Sequence, residues 1–122
     1  MTQSEVQCEN CSKIIKVQIF SAGFNDVGVF TCDRDSTVLT VSVFDKKLYD
    51  VVGEHPKGAW TEEHFKKVEA QLINCPCGGT FKHDTLPKCP NCGALLRVRL
   101  APSEYVVVGR YIQGEKQSPW RS

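Results

Sequence analysis

The distribution of cysteines is the feature that most restricts how this chain can fold. Six of its seven cysteines form three close pairs, which are Cys8–Cys11, Cys75–Cys77 and Cys89–Cys92. The seventh, Cys32, has no cysteine neighbour, but Asp35 stands where the second cysteine of a C-x-x-C pair would be. If a chain of 122 residues is divided into two small units, each unit has too small a hydrophobic core to be stable without a metal ion, disulfides or a partner. The cysteines can supply such a link.

The N-terminal segment "MTQSEVQCENCS" has neither the basic nor the apolar region of a secretory signal peptide. No apolar run approaches the roughly 20 residues that span a bilayer. We therefore expect a cytoplasmic protein with no membrane association, in a compartment where thiols stay reduced. Close cysteine pairs in that compartment indicate metal ligands before disulfides, and an odd number of cysteines argues against a closed disulfide framework.

The second half of the chain contains two cysteine turns, "CPCGG" at 75–79 and "CPNCG" at 89–93. Zinc takes four ligands in a tetrahedron, and a close pair on one turn supplies two of them. Glycine after the second cysteine permits positive φ, so that backbone N–H groups can point at the sulfur atoms. The eleven residues between Cys77 and Cys89 allow a short hairpin. We expect these four cysteines to hold one Zn2+ ion: Cys75, Cys77, Cys89 and Cys92.

The segment 75–93 resembles the knuckle pair of the zinc-ribbon (rubredoxin-like) superfamily. It departs from that pattern in its first knuckle, which is C-x-C rather than C-x-x-C. The resemblance implies metal binding on a small antiparallel β fold. It implies no single activity, because zinc ribbons serve in transcription, translation, enzyme subdomains and protein docking.

The first half repeats the arrangement with one substitution. Cys8, Cys11, Cys32 and Asp35 are expected to hold a second Zn2+ ion, since a carboxylate oxygen is an accepted zinc ligand. A degenerate site without metal is the alternative, with Cys32 as a small core residue. Other candidates for the fourth ligand are a water molecule and the side chains of Asp33, His55 and His64.

Hydrophobic alternation predicts strands at 13–20, 27–32, 37–44, 80–82, 94–100 and 104–112. A helix is predicted over 61–73, with Thr61 as its N-cap and a hydrophobic staple between Trp60 and Phe65. The expected fold is mostly β with one helix, a small α+β protein made of two zinc-ribbon-like antiparallel modules. The predicted organisation is an N-terminal module at 1–58, a connecting helix at 59–73 and a C-terminal ribbon at 74–122.

No catalytic motif accompanies the cysteines: the chain has no H-E-x-x-H, P-loop or G-x-S-x-G sequence. The isolated His55, His64 and His83 are expected to be surface or capping residues. The formal net charge of +1 becomes about −2 when seven thiolates bind two Zn2+ ions, which is not typical of a nucleic-acid-binding protein. We therefore predict a non-enzymatic zinc protein that binds another protein, as an adaptor or an inhibitor/immunity-type module.

Two alternatives stay open at this point. The first is nucleic-acid binding by the cations of the C-terminal part, which are Lys88, Arg97, Arg99 and Arg110. The second is a metalloenzyme in which the N-terminal site keeps an open coordination position. The sequence does not indicate an oligomeric state.

Overall fold

The computed structural model describes residues 2–21, 27–53, 60–101 and 103–121. They form seven strands and two helices: β1 (Thr2–Gln7), β2 (Ile14–Ser21), β3 (Val27–Cys32), β4 (Val38–Ser42), α1 (Lys46–Val52), α2 (Glu62–Glu69), β5 (Phe81–Lys82), β6 (Glu104–Val107) and β7 (Tyr111–Gln113). The mostly β, small α+β class is confirmed, with two helices where one was predicted. Neither helix has the length and apolar character needed to cross a bilayer.

The strands form two sheets with the orders β1-β2-β6 and β5-β3-β4-β7. All pairings are antiparallel except that of β4 with β7, which is parallel. β5, β6 and β7 follow α2 in the chain, yet each pairs with a strand that precedes it. The boundaries given above for two modules stay a prediction; the pairing establishes that each sheet takes strands from both sides of α2.

The larger of two hydrophobic cores lies on the sheet that contains β3 and β4. All five residues of β4 are buried, and β4 is an inner strand that lies between β3 and β7. Phe30 and Leu39 pack there with Leu48 of α1 and Val68 of α2. Trp120 closes this core, and its Nε1–H donates to Asp45 Oδ1 at 3.0 Å. The C-terminal tail is therefore held against the start of α1.

The smaller core packs β2 against the segment that follows the last cysteine pair. Ile15 and Val17 alternate inward from β2 and meet Leu96, Cys8 and Cys89. The predicted strand at 94–100 is wrong, because within that segment the structure has a single β-bridge, between Lys88 and Leu95. The predicted strand at 104–112 is two strands, β6 and β7, which belong to different sheets.

Helix α2 begins as predicted but ends earlier than residue 73. Thr61 is the N-cap and accepts the His64 N–H, while His64 Nδ1 accepts the Thr61 N–H, which completes a capping box. The rings of Trp60 and Phe65 lie 5.4 Å apart, as a hydrophobic staple requires. Helix α1 was not predicted. Its N-cap, Asp45, accepts the Lys47 N–H.

Candidate metal centres

All eight residues predicted as metal ligands lie in two compact clusters, but the clusters group them differently from the prediction. The all-cysteine cluster contains Cys8, Cys11, Cys89 and Cys92. The cysteine–aspartate cluster contains Cys32, Asp35, Cys75 and Cys77. The two predicted sets, Cys75/Cys77/Cys89/Cys92 and Cys8/Cys11/Cys32/Asp35, are therefore wrong as sets. Each cluster instead combines one knuckle from before α2 with one from after it.

Strand pairing explains this exchange of partners. β5 pairs with β3 so that Phe81 lies opposite Cys32, which brings the turn at 75–79 to the end of β3. The N–H of Asp33 donates to the carbonyl of Thr80 and continues that pairing toward the turn. The knuckle at 89–92 lies beside the knuckle at 8–11 instead, because Leu96, which follows it, packs against β2. The knuckles at 75–77 and 89–92 consequently face different partners.

The sulfur positions in the all-cysteine cluster suit a tetrahedral metal. The Sγ atoms of Cys8 and Cys92 are 3.6 Å apart, and those of Cys11 and Cys89 are 3.8 Å apart. Sulfur atoms at about 2.3 Å from a tetrahedral zinc are about 3.8 Å from each other. Cys8 and Cys89 are buried, whereas Cys92 is exposed.

The cysteine–aspartate cluster has the same dimensions. The Sγ atoms of Cys32 and Cys77 are 3.4 Å apart, and Cys75 Sγ is 3.4 Å from Asp35 Oδ1. Tetrahedral zinc places a sulfur and a carboxylate oxygen about 3.5 Å apart. Asp35 thus occupies the place of a fourth cysteine, although its partners are Cys75 and Cys77 rather than the first cysteine pair.

The four knuckles share one backbone feature. The residue after the second ligand has positive φ in every case, and these residues are Ser12 (63°), Ser36 (65°), Gly78 (92°) and Gly93 (80°). Glycine with positive φ was predicted at the last two knuckles and is confirmed. The knuckle that contains Asp35 therefore has a left-handed residue at the same position as the three cysteine knuckles.

Backbone amides point at the sulfur atoms within the cysteine–aspartate cluster. The Arg34 N–H lies 3.4 Å from Cys32 Sγ, and the Gly79 N–H lies 3.4 Å from Cys77 Sγ. Such N–H groups share the negative charge of a metal-bound thiolate and fix its direction. The sequence of each turn thus sets both the positions of the ligands and the polarity around them.

Residues 4–97 match the family described as Domain of unknown function (DUF8255). The chain belongs to the DUF8255 family. The matched region contains both clusters and both helices, and it ends before β6 and β7. No curated protein and no solved structure matches the chain.

The thiol pKa values differ within the all-cysteine cluster of this DUF8255 domain. Hydrogen bonds from the Asn91 side chain and the Lys13 backbone lower the pKa of Cys11 to about 6. The Cys11 backbone N–H favours the Cys8 thiolate, but burial and the neighbouring thiol groups raise the Cys8 pKa to about 11. A metal ion would displace the remaining protons and bind all four thiolates.

The ionisable groups of the cysteine–aspartate cluster also differ in the direction of their pKa shifts. Burial raises the pKa of Cys32 to about 12. Burial also favours the protonated form of Asp35, but hydrogen bonds from Thr37 and from the Cys32 and Cys75 thiols lower its pKa to about 2. Asp35 is therefore a carboxylate at neutral pH, which is the form that binds a metal ion.

Two further features of the cysteine–aspartate cluster fit a metal ion. The buried Thr37 side chain lies beside the Asp35 carboxylate and the Cys75 thiol, so its hydroxyl can donate a hydrogen bond to a metal-bound thiolate there. A Cβ atom at Gly79 would lie 2.5 Å from Cys32 Sγ, so only glycine permits this sulfur position. Thr37 was not predicted as part of a site, and nothing in the sequence distinguished its hydroxyl from those of other threonines.

The other candidates for the fourth ligand differ in their surroundings. Asp33 Oδ1 accepts the Thr80 N–H at 3.0 Å, and His64 belongs to the capping box of α2. Neither is part of the two clusters. His55 lies outside the described residues. His83, predicted to be a surface or capping residue, is half-buried and contacts Glu62 and Glu69.

Proposed function

We propose that this DUF8255 chain is a non-enzymatic zinc protein in which two structural Zn2+ ions fasten its N-terminal half to its C-terminal half, and which acts by binding another protein. One observation carries the proposal. Each cluster takes two ligands from each side of α2, at spacings that match a tetrahedral ion.

The ligand sets favour zinc and a structural role. Seven of the eight candidate ligands are thiolates, which are soft and suit Zn2+ better than Mg2+ or Ca2+. The eighth, the Asp35 carboxylate, is a harder ligand that zinc also accepts. Each cluster offers four protein ligands, and structural zinc sites are closed in this way, whereas catalytic sites keep a position for water. We also propose that the four knuckles are related to those of zinc ribbons. The positive φ after the second ligand of each knuckle and the N–H···S contacts of two knuckles support this relation.

Exposed apolar side chains support a protein partner. Phe44 is 78% exposed and Tyr49 is 55% exposed, the first just before α1 and the second within it. Aromatic residues are enriched in protein interfaces because they bury a large area for little conformational entropy. The near-neutral net charge agrees with a protein partner rather than a polyanion.

Native mass spectrometry of the untagged protein tests both parts of the proposal. We expect a mass increase for two Zn2+ ions and a specific protein retained from lysate. A strong chelator should unfold the chain, because structural zinc supplies roughly 10–16 kcal/mol in small zinc-finger peptides. A verified metal-free protein with unchanged thermal stability would contradict the structural role, and a fully metallated protein without any partner would contradict the binding role.

Nucleic-acid binding is the second candidate. Arg97, Arg99 and Arg110 are exposed, and none of them forms an ion pair with a carboxylate of the described residues. Binding through these cations should fall steeply as salt rises. Absence of binding to DNA and RNA at low salt would eliminate this candidate.

A further inference from the structure

We propose that Glu69, His83 and Asp84 form a third metal site, which binds a divalent first-row transition ion. A ligand atom of each residue lies within 4.8 Å of those of the other two. The set contains oxygen and nitrogen atoms but no sulfur, so its chemistry differs from that of the cysteine clusters. Two carboxylates and one imidazole suit Mn2+ and Fe2+.

The fold holds the imidazole in a fixed position. Glu62 and Glu69 are the first and last residues of α2, seven positions apart, so two turns of the helix place them on the same side. His83 follows β5, and its ring stacks on Phe65 with 4.4 Å between centroids and 5° between planes. The His83 side chain is only 13% exposed. A ligand fixed by packing is a requirement for a well-defined metal site.

The distances around the ring suit a metal ion on one side and a supporting carboxylate on the other. His83 Nδ1 is 3.1 Å from Glu69 Oε1. Neighbouring ligands at about 2.1 Å from an octahedral ion lie about 3.0 Å apart. His83 Nε2 is 2.9 Å from Glu62 Oε2, which matches the carboxylate that orients a metal-binding histidine.

Binding of a metal ion at this site releases one proton from the protein. The imidazole loses its Nδ1 proton to solvent, and the freed lone pair binds the metal. The Nε2–H continues to donate to Glu62, so the ring keeps its orientation. The backbone N–H of His83 also donates to Glu69 Oε1 at 2.8 Å, which holds that carboxylate beside the ring.

The local charge also favours a cation. Three carboxylates, those of Glu62, Glu69 and Asp84, surround one imidazole, so negative charge exceeds positive charge even when the ring is protonated. Within the described ranges, no lysine or arginine forms an ion pair with these carboxylates, and the neighbouring Lys67 pairs with Glu63 instead. The Glu69 side chain is only 19% exposed, so water solvates its charge incompletely.

Mn2+ titration of the protein carrying two Zn2+ ions tests the proposal, with the electron paramagnetic resonance signal of free Mn2+ as the readout. Mn2+ prefers oxygen and nitrogen ligands and leaves zinc in the thiolate clusters. We expect one bound Mn2+ ion. Glu69→Gln and Asp84→Asn should each weaken binding at least about tenfold, and His83→Gln should abolish it. Glu62→Gln should weaken binding about tenfold through the orientation of the ring.

Glu63→Gln is the matched control, because Glu63 is exposed on the same helix and pairs with Lys67 away from His83. It removes the same charge and should leave Mn2+ affinity unchanged. Zinc content of two ions per chain verifies that each variant is folded. If His83→Gln loses zinc, Asp84→Asn decides the question, since that side chain is exposed. Absence of Mn2+ binding, equal weakening by Glu63→Gln, or binding that survives Asp84→Asn would overturn the proposal.

Discussion

The Sγ atoms of Cys8 and Cys92 lie 3.6 Å apart, although 84 positions separate these residues in the chain. Inside the loop that they close, Cys75 Sγ lies 3.4 Å from Asp35 Oδ1. The two clusters are therefore nested in the sequence, one within the other. They are also linked, because the Lys88 N–H donates to Ser36 Oγ at 2.7 Å, which joins residues adjacent to Cys89 and Asp35.

The nested arrangement predicts which sets of ligands can be removed together. Serine substitution of all four residues of the all-cysteine cluster should leave one Zn2+ ion per chain. Serine substitution of Cys75, Cys77, Cys89 and Cys92 should leave none, because it removes half of each cluster. Native mass spectrometry distinguishes the results. One ion retained by the second variant would instead support the pairing of consecutive knuckles.

Replacement of Asp35 tests whether a carboxylate is the fourth ligand. Asp35→Cys should keep two Zn2+ ions, because the residue after Asp35 already has the positive φ found after the second cysteine of each other knuckle. Asp35→Asn should weaken one of them at least about tenfold, since it removes the anionic ligand and keeps the oxygen that accepts the Thr37 N–H. Competition with a chromophoric chelator measures both affinities. Equal zinc affinity in Asp35→Asn would show that the ligand is another group.

Gly79 and Gly109 form a matched pair for a steric test. An alanine Cβ at position 79 would lie 2.5 Å from Cys32 Sγ, whereas at position 109 its nearest neighbour would be the Asp35 carbonyl oxygen at 3.8 Å. Gly79→Ala should therefore displace the sulfur and lower the zinc content toward one ion. Gly109→Ala should retain two ions and normal stability. Two tightly held ions in Gly79→Ala would contradict the position of Cys32.

The two serines with positive φ should respond differently to glycine. A left-handed conformation costs a non-glycine residue about 1–2 kcal/mol, and the greater unfolded-state entropy of glycine offsets part of the gain from relieving it. Ser12 is exposed, so Ser12→Gly should raise the free energy of unfolding by about 0.5 kcal/mol. Ser36→Gly should lower it, because the buried Ser36 hydroxyl accepts the Lys88 N–H. Chemical denaturation of the zinc-loaded proteins measures both changes.

His83 makes part of the stability depend on pH. Burial lowers its pKa, but the hydrogen bonds and charges of Glu69 and Glu62 raise it above the usual 6.5 overall. The stabilisation is therefore complete below about pH 6.5 and is lost as pH rises through the higher folded-state pKa. In protein carrying two Zn2+ ions, Glu62→Gln should cost more stability at acidic than at alkaline pH.

Nuclear magnetic resonance titration of the His83 ring supplies the direct check. Its pKa should fall in Glu62→Gln and stay unchanged in Glu63→Gln, since Glu63 pairs with Lys67. A His83 pKa at or below 6.5 in the wild-type protein would contradict the prediction.

Local sequence alone determined the ligand types, the knuckle turns and the start of α2. Each of these depends on a few consecutive residues, such as the Gly after Cys77 or the Thr61 cap, whose conformational preferences act without distant contacts. Helix α1 was missed although Asp45 caps it and Gly53 ends it, because seven residues are too few to show a clear period. β1 was missed because its residues are mostly polar and it exists through pairing with β2.

Only the tertiary structure decided which knuckles lie together in one cluster. All four knuckles have similar turns, so nothing within any of them specifies its partner. The choice depends on the pairing of β5 with β3 and on the packing of Leu96 against β2, which join residues far apart in the chain. The same long-range contacts bring His83 to Glu62 and Glu69. Such contacts depend on the combined burial of both halves of the chain. The candidate ligands could therefore be predicted from the sequence, but their grouping could not.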